Sequence, residues 1–345
     1  MIQLLLRKKI HVLIIYALLV FPIFYFVYKF GILLKGYDDA KWYLKMYFDL
    51  TSDEVPSPFN MRLISASIIH CMQSLGLHYH TECAIDAFPL VDKSFFFNNI
   101  LFNFACITLT AFSLFIIFVK LGFGQVLSFI AGTLYTLGFG SLFYLMMPGP
   151  DALSVLIFTW ILFFYIKKSY WLIPLFILLI FQREYYFLAF MVIAFMDFIK
   201  YKREKYYLFV LLINISCFIL YYVLRKTIFH THHWSHQTSP TFLFSSLLDN
   251  HIEIIPMIRQ SLMTMNLFFI YLFILAYKYY FKQTILKHHL YVSLIALLQI
   301  TLLSFAATFG NNNGRYFYLL APLILYYLLS ELKPLLENKL IVPQA

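Results

Sequence analysis

Charge is scarce in this chain. Of its 345 residues only 12% are Asp, Glu, Lys or Arg, against roughly 25% in an ordinary soluble domain. A water-soluble core is thereby excluded. With 62% of residues apolar or aromatic, so few charges cannot clothe the surface, and lipid must be the main solvent. Cysteine is sparse as well. Cys71, Cys83, Cys106 and Cys217 form neither CxxC nor a zinc-type spacing. Cys106 and Cys217 fall in apolar runs and read as buried thiols, whereas Cys71 and Cys83 share one loop and either pair in an oxidising compartment or stay free. No Walker loop, GxGxxG, HExxH or GxSxG occurs, so the common signatures of nucleotide, dinucleotide, zinc-protease and serine-hydrolase chemistry are missing. The net charge of +10 is spread over short loops with no long basic run and no RNA-binding motif. It points to membrane orientation and not to nucleic acid. The 40 Phe and 27 Tyr suit lipid-facing and interfacial positions.

What is abundant is apolar run. A span needs about 20 apolar residues, or about 17 if short, and ten candidates lie near 10–32, 95–118, 125–146, 152–166, 170–182, 184–199, 206–226, 262–281, 290–308 and 316–331. The fourth to sixth are short and closely spaced, as tilted or partly re-entrant segments would be. The first is basic and then apolar for too long to be a signal h-region, and reads as a retained helix. The expected fold class is an all-α integral membrane protein of about ten transmembrane helices. It forms one domain over 1–345, with extracytoplasmic loops at 33–94 and 227–261 and no appended soluble domain. With the N-terminus inside, the inner segments hold 15 of the 26 basic residues and four of the 16 acidic ones, leaving 11 basic and 12 acidic outside. This balance follows the positive-inside rule. It places both termini in the cytoplasm, and the expected location is a plasma membrane of the bacterial inner-membrane kind.

On that topology the unusual polar chemistry gathers on the outer face. "GYDDAKWYLKMYFDL" places Asp38 and Asp39 before a stretch whose apolar residues recur at Trp42, Tyr43, Met46, Tyr47 and Leu50, the spacing of an interfacial helix. The pair either caps that helix or supplies a general base whose pKa is raised near lipid. "VPSPFNMRLIS" puts Arg62 in the first turn of a second helix, where a cation opposes the dipole and is better tolerated with an anionic partner. "PGPDALS" makes a tight turn after which Asp151 reads as a helix N-cap. "FQREYYF" sets Arg183 and Glu184 between apolar runs, where charges pair with each other or serve function, Arg183 then holding a lipid phosphate. "HTHHWSHQTSP" holds His230, His232, His233 and His236; a solvated loop, a phosphate or sugar contact and a divalent metal site are all open there. "TFGNNNGRYF" brings Arg315 to the mouth of the last span, as an interface anchor or another phosphate ligand.

These motifs, in this order, resemble the GT-C class of polytopic glycosyltransferases, which use polyprenyl-phosphate sugars. "DDAKWYL" is similar to the family's acidic opening of the first outer loop, "PFNMRLIS" to its Pro-x-x-x-Arg helix, "PGPDALS" and "QREYYFL" to its later Asp and Arg-Glu motifs, and "NGRYFYLLAPLI" to its Arg near the final span. The resemblance covers most of the chain through short motifs, and the soluble outer domain of larger members is missing. It implies a sugar donor linked to lipid through one phosphate, and a glycan, lipid-linked or protein acceptor arriving from the outer side. It also implies inversion at the anomeric carbon, with a loop carboxylate as base. The acidic-pair form aligns Asp38 as base, which is preferred, and the Asp-Gly form aligns Asp39. Arg62, Arg183 and Arg315 are the implied phosphate contacts, with His233 and His236 beside them and Glu184 and Asp151 in support. Cationic side chains can hold one phosphate without a cofactor, while a divalent metal stays open. Two other functions compete: a lipid-linked glycan polymerase or ligase acting on diphosphate-linked chains, and a non-enzymatic lipid-sugar transporter, which would rather place its ionisable residues at mid-membrane on broken, repeated helices.

Overall fold

The computed structural model describes residues 8–30, 37–76, 92–201, 204–229, 266–286, 291, 294 and 318–340. Every regular element among them is helical. In chain order these are α1 (Lys9–Phe30), α2 (Tyr37–Phe48), a short 3-10 turn (Phe59–Met61), α3 (Leu63–Ser74), α4 (Lys93–Lys120), α5 (Gln125–Thr136), α6 (Phe139–Met146) and α7 (Asp151–Ile166). Then follow α8 (Leu172–Ile180), α9 (Tyr185–Lys200), α10 (Lys205–Thr227), α11 (Asn266–Tyr280) and α12 (Ala321–Leu340).

The chain is an all-helical protein with helices able to cross a membrane. The expected count of ten spans is met only in part. Among the described residues three helices, α1, α4 and α10, are long and apolar enough on their own. A fourth candidate is the pair α5–α6, bent by 50° at its break. Helices α7, α8 and α9, with 16, 9 and 16 residues, are shorter than an upright span needs. At about 1.5 Å per residue, the nine residues of α8 cover less than half of the roughly 30 Å hydrocarbon core. The stretch 290–308 lies outside the described residues apart from Tyr291 and Leu294.

Helix α4 is the hub, packing against α1, α3, α5, α6 and α7. Its start is fixed by Asp92, whose carboxylate accepts from the Phe95 amide at 2.7 Å, a bond that satisfies one of the free amides of a helix N-terminus. It then runs 28 residues with both apolar and polar side chains buried, including Asn98, Asn99, Asn103, Thr110 and Ser113. α1 is two-faced. Val12, Tyr16, Val20 and Val27 are buried against the bundle, while Ile10, Ile14, Leu18, Phe21 and Tyr25 form an exposed stripe at the three-to-four-residue spacing of one helical face. Lipid tails are as apolar as leucine, so such helices gain from close packing and not from leaving water.

The α5–α6 break shows that packing in detail. The ring of Tyr318 lies where a Cβ on Gly138 or Gly140 would stand, so only glycine admits it there. Its hydroxyl meets Ser141 Oγ at 3.0 Å and also bonds the Tyr135 carbonyl. The Tyr135 carbonyl at the break also accepts from Ser141 Oγ and from the Gly138 amide, so local groups and a distant side chain together satisfy the backbone at the bend.

Helix α4 runs antiparallel to α1 and to α7, which defines two ends of the bundle. Tyr28 near the end of α1 meets Phe97 near the start of α4, at 6.2 Å between rings, and Lys120 at the end of α4 lies 5.6 Å from the Phe163 ring near the end of α7. One end holds arginines 62, 183 and 225, with lysines 29, 93 and 226 at the helix ends there. The other collects lysines 120, 167, 168, 200, 205 and 278. The apolar stripe expected to lie along the membrane surface at α2 faces protein instead. Tyr43, Met46 and Tyr47 are buried, because α3 and the start of α4 offer matching surface: Tyr47 stacks edge-on with Phe95 at 5.3 Å, and Tyr43 with Phe59 at 5.8 Å.

Candidate functional site

The arginine end is built from segments distant in sequence. Residues 181–184 link α8 to α9 and enter the bundle, with Gln182 and Arg183 buried. Gln182 is the tie. Its Oε1 accepts from the Ser65 amide at 3.2 Å, and its Nε2 donates to the Pro150 carbonyl at 2.8 Å and also contacts Ser65 Oγ. One amide side chain therefore fixes the start of α3, the 148–150 turn and the α8–α9 link relative to each other. Asn103 adds a second tie from α4, donating to the Met147 carbonyl at 3.0 Å. Asn98 adds a third, donating to Tyr47 Oη of α2 at 2.9 Å.

Four predicted residues meet on this frame. Arg183 Nε stands 3.1 Å from Asp151 Oδ1, both side chains being largely buried. Arg62 Nη1 donates to Tyr43 Oη at 2.9 Å, and Arg62 Nη2 stands 3.7 Å from Glu184 Oε1. The Arg62 guanidinium also lies 5.1 Å from the Phe59 ring centre, within cation–π range. Burial works against the Arg62 charge, but Tyr43 and Glu184 more than offset it and hold its pKa above the ordinary arginine value. The adjacent charges of the Arg-Glu motif therefore reach across to other elements and are not confined to a mutual pair.

The N-cap expected of Asp151 is corrected. Pro150 holds the cap position of α7 and no side chain makes a capping bond, while Asp151 is the first helical residue. Its carboxylate serves Arg183 because a buried guanidinium gains more from a counter-ion than a helix end gains from a cap. Arg62 sits at the N-cap of α3, one residue before the expected first turn. α2 begins at Tyr37, so Asp38 and Asp39 belong to its first turn. Their side chains, with Arg315, His230, His232, His233 and His236, lie outside the described residues. Cys106 and Cys217 are buried thiols and Cys71 is exposed; Cys83 lies outside the described residues. Among the described residues no group of three or more His, Cys, Asp or Glu is arranged to hold a metal.

Sequence reasoning missed four side chains here. Tyr43 and Gln182 are uncharged members of apolar runs. Tyr221 and Arg225 lie one turn apart near the end of α10, where an arginine followed by Lys226 looks like an interface anchor. In the fold Arg225 Nε donates to Ser57 Oγ at 3.1 Å, and Arg225 and Tyr221 both interact electrostatically with Glu184. Asn60 Nδ2 donates to the Phe229 carbonyl at 3.2 Å and holds the end of α10 against the first loop.

The arrangement can bind an anion. It offers three guanidiniums and several phenols at one end of an apolar bundle, against two carboxylates, and desolvated arginines are well suited to oxyanions. No family model, curated protein or solved structure matches the chain.

Proposed function

We propose that the protein is a membrane glycosyltransferase that moves a sugar from a polyprenyl-phosphate donor to an acceptor on the extracytoplasmic face, which is then the arginine end. One observation supports the reading above the rest. Motifs spread from residue 38 to residue 184 are joined at one end of the bundle, where Tyr43 of α2, the helix whose first turn carries Asp38 and Asp39, accepts from Arg62 at 2.9 Å. In the reaction a carboxylate of the pair takes the proton of an acceptor hydroxyl as its oxygen attacks the anomeric carbon. The bond from that carbon to the phosphate oxygen breaks, the lipid phosphate leaves with the electron pair, and the centre inverts. The arginines stabilise the charge that grows on the leaving phosphate.

The test supplies purified protein with a polyprenyl-monophosphate sugar and follows transfer. Asp38→Asn and Asp39→Asn, made separately, are expected to leave folding intact, and one of them should slow transfer by about 100-fold or more. Full activity in both variants sinks the assignment of the base. Transfer only from a diphosphate-linked oligosaccharide replaces the reading with a glycan polymerase or ligase, and movement of intact lipid-sugar across the bilayer without glycosidic transfer replaces it with a transporter.

A further inference from the structure

Charge at the arginine end is not balanced. Arg62, Arg183 and Arg225 face Glu184 and Asp151, three cations against two anions. The two carboxylates are held differently. Asp151 lies 3.1 Å from Arg183, and its side chain is 11% exposed. Glu184 is 28% exposed and comes no closer than 3.7 Å to Arg62, beyond hydrogen-bond length. Beside it are two buried donors with no acceptor among the described residues, the Tyr221 hydroxyl and Arg62 Nε. Tyr221 is 4% and Arg62 8% exposed. Unspent donors in a desolvated site are costly and call for an explanation.

We propose that Glu184 is a resident counter-ion occupying an oxyanion site formed by Arg62, Arg225 and Tyr221, and that a phosphate group displaces it on binding. A carboxylate tethered at the N-cap of α9 has two oxygens and a fixed origin, and it leaves both donors unserved. A phosphate is tetrahedral, carries more acceptor oxygens and is free to seat itself between them. The partial exposure of Glu184 gives the displaced side chain a way out toward water. Its charge also keeps the arginines compatible with one another while the site holds no ligand, and its release leaves the bound anion facing three cations. The proposal adds Arg225, Tyr221 and an exchanging carboxylate to the phosphate contacts named above, and it rests on the glycosyltransferase reading only for the phosphate being borne by a lipid.

Direct binding tests it without any transfer reaction. Inorganic phosphate is titrated calorimetrically against the detergent-solubilised full chain. In a second arm, micelles doped with phosphatidylglycerol are compared with micelles doped with phosphatidylcholine. Glu184→Gln removes the competitor and should tighten binding about 10-fold or more. Arg225→Gln and Tyr221→Phe should each weaken it about 5-fold or more. Tyr221→Phe removes a hydroxyl that has no partner among the described residues, so it should not lower the thermal unfolding midpoint of the ligand-free protein. That separates a ligand contact from a structural one. If Glu184→Gln folds poorly, added phosphate should raise its unfolding midpoint more than that of the unaltered protein, since a ligand stabilises whatever it binds best. The variant pattern with phosphatidylglycerol assigns the phosphate to the bilayer, and the pattern with inorganic phosphate alone assigns it to water. The proposal is overturned by a Glu184→Gln protein that binds no tighter, or by Tyr221→Phe and Arg225→Gln proteins that bind as the unaltered chain does. Expected binding without sugar transfer leaves the anion site standing and removes the glycosyltransferase reading.

Discussion

The two ends of the bundle use similar charges to opposite effect. At the lysine end the buried carboxylates are fully occupied. Glu331 bonds Lys278 through Oε2 and accepts from the Leu286 amide through Oε1 at 2.9 Å. Asp197 accepts from Tyr165 through Oδ2 at 2.6 Å and from Tyr291 through Oδ1 at 3.0 Å. Each oxygen has its donor, and the ammonium of Lys200 lies 4.9 and 5.5 Å from the Tyr201 and Tyr291 rings. At the arginine end Glu184 meets Arg62 only at 3.7 Å while donors beside it stay unspent. The lesson concerns groups and not single atoms. Tyr271, close to Glu331, also has a hydroxyl without a partner among the described residues, but the carboxylate it adjoins is already satisfied by Lys278 and the Leu286 amide. A saturated cluster holds helices together, whereas an unsaturated one with excess charge of one sign has room for a ligand.

Four variants can break or sharpen this contrast. The largest effect is expected at the lysine end. Glu331→Ala leaves a buried Lys278 without its counter-ion and should cost about 3–5 kcal/mol, read as a lowered unfolding midpoint in detergent, with phosphate affinity unchanged. Replacing both partners, Lys278→Met with Glu331→Leu, should recover most of the loss; failure to recover it would show that the pair does more than hold the fold. Asp151→Asn is expected to cost less, about 2–3 kcal/mol, because Glu184 still faces Arg183 and softens the loss of a buried partner. Here phosphate affinity should rise as well, and a fall would mean that Asp151 helps to hold the anion in place. The smallest effect belongs to Lys168, which meets Glu204 at 2.7 Å with both side chains more than a third exposed. Lys168→Ala should change stability by no more than about 1 kcal/mol, and a larger drop would show that the lysine end depends on its surface charges too.

Much of the helical framework is legible in the sequence, because long apolar runs leave the backbone little choice in lipid. α1, α4 and α10 follow that rule directly. The short helices α7 to α9 obey it less, since protein neighbours can satisfy segments that do not cross the membrane unaided. Charge in an apolar chain was an equally good guide to Arg62, Asp151, Arg183 and Glu184. The pairing between them was not legible. Arg183 and Glu184 are adjacent in sequence, yet their side chains meet Asp151 and Arg62 at 3.1 and 3.7 Å, partners that only the folded turns bring near. Gln182 escaped notice for a different reason. Its role is to join three backbone segments, and nothing in its own neighbourhood of sequence names the other two. Asp151 after Pro-Gly-Pro has the local pattern of a cap, and its partner Arg183 is 32 residues away in the chain and brought near only by the fold.

The ring of Tyr318 has a consequence for assembly. It fills the space against Gly138 and Gly140 and bonds Ser141 across 177 residues of chain. During synthesis the bent third segment is made long before the residue that completes it. Until Tyr318 arrives, the space against the two glycines is unfilled, although the Ser141 hydroxyl already donates to the Tyr135 carbonyl. Closure of that gap waits on one late aromatic side chain, so a chain stopped short of it should keep a cavity at the break although the helices from α1 to α11 are already made.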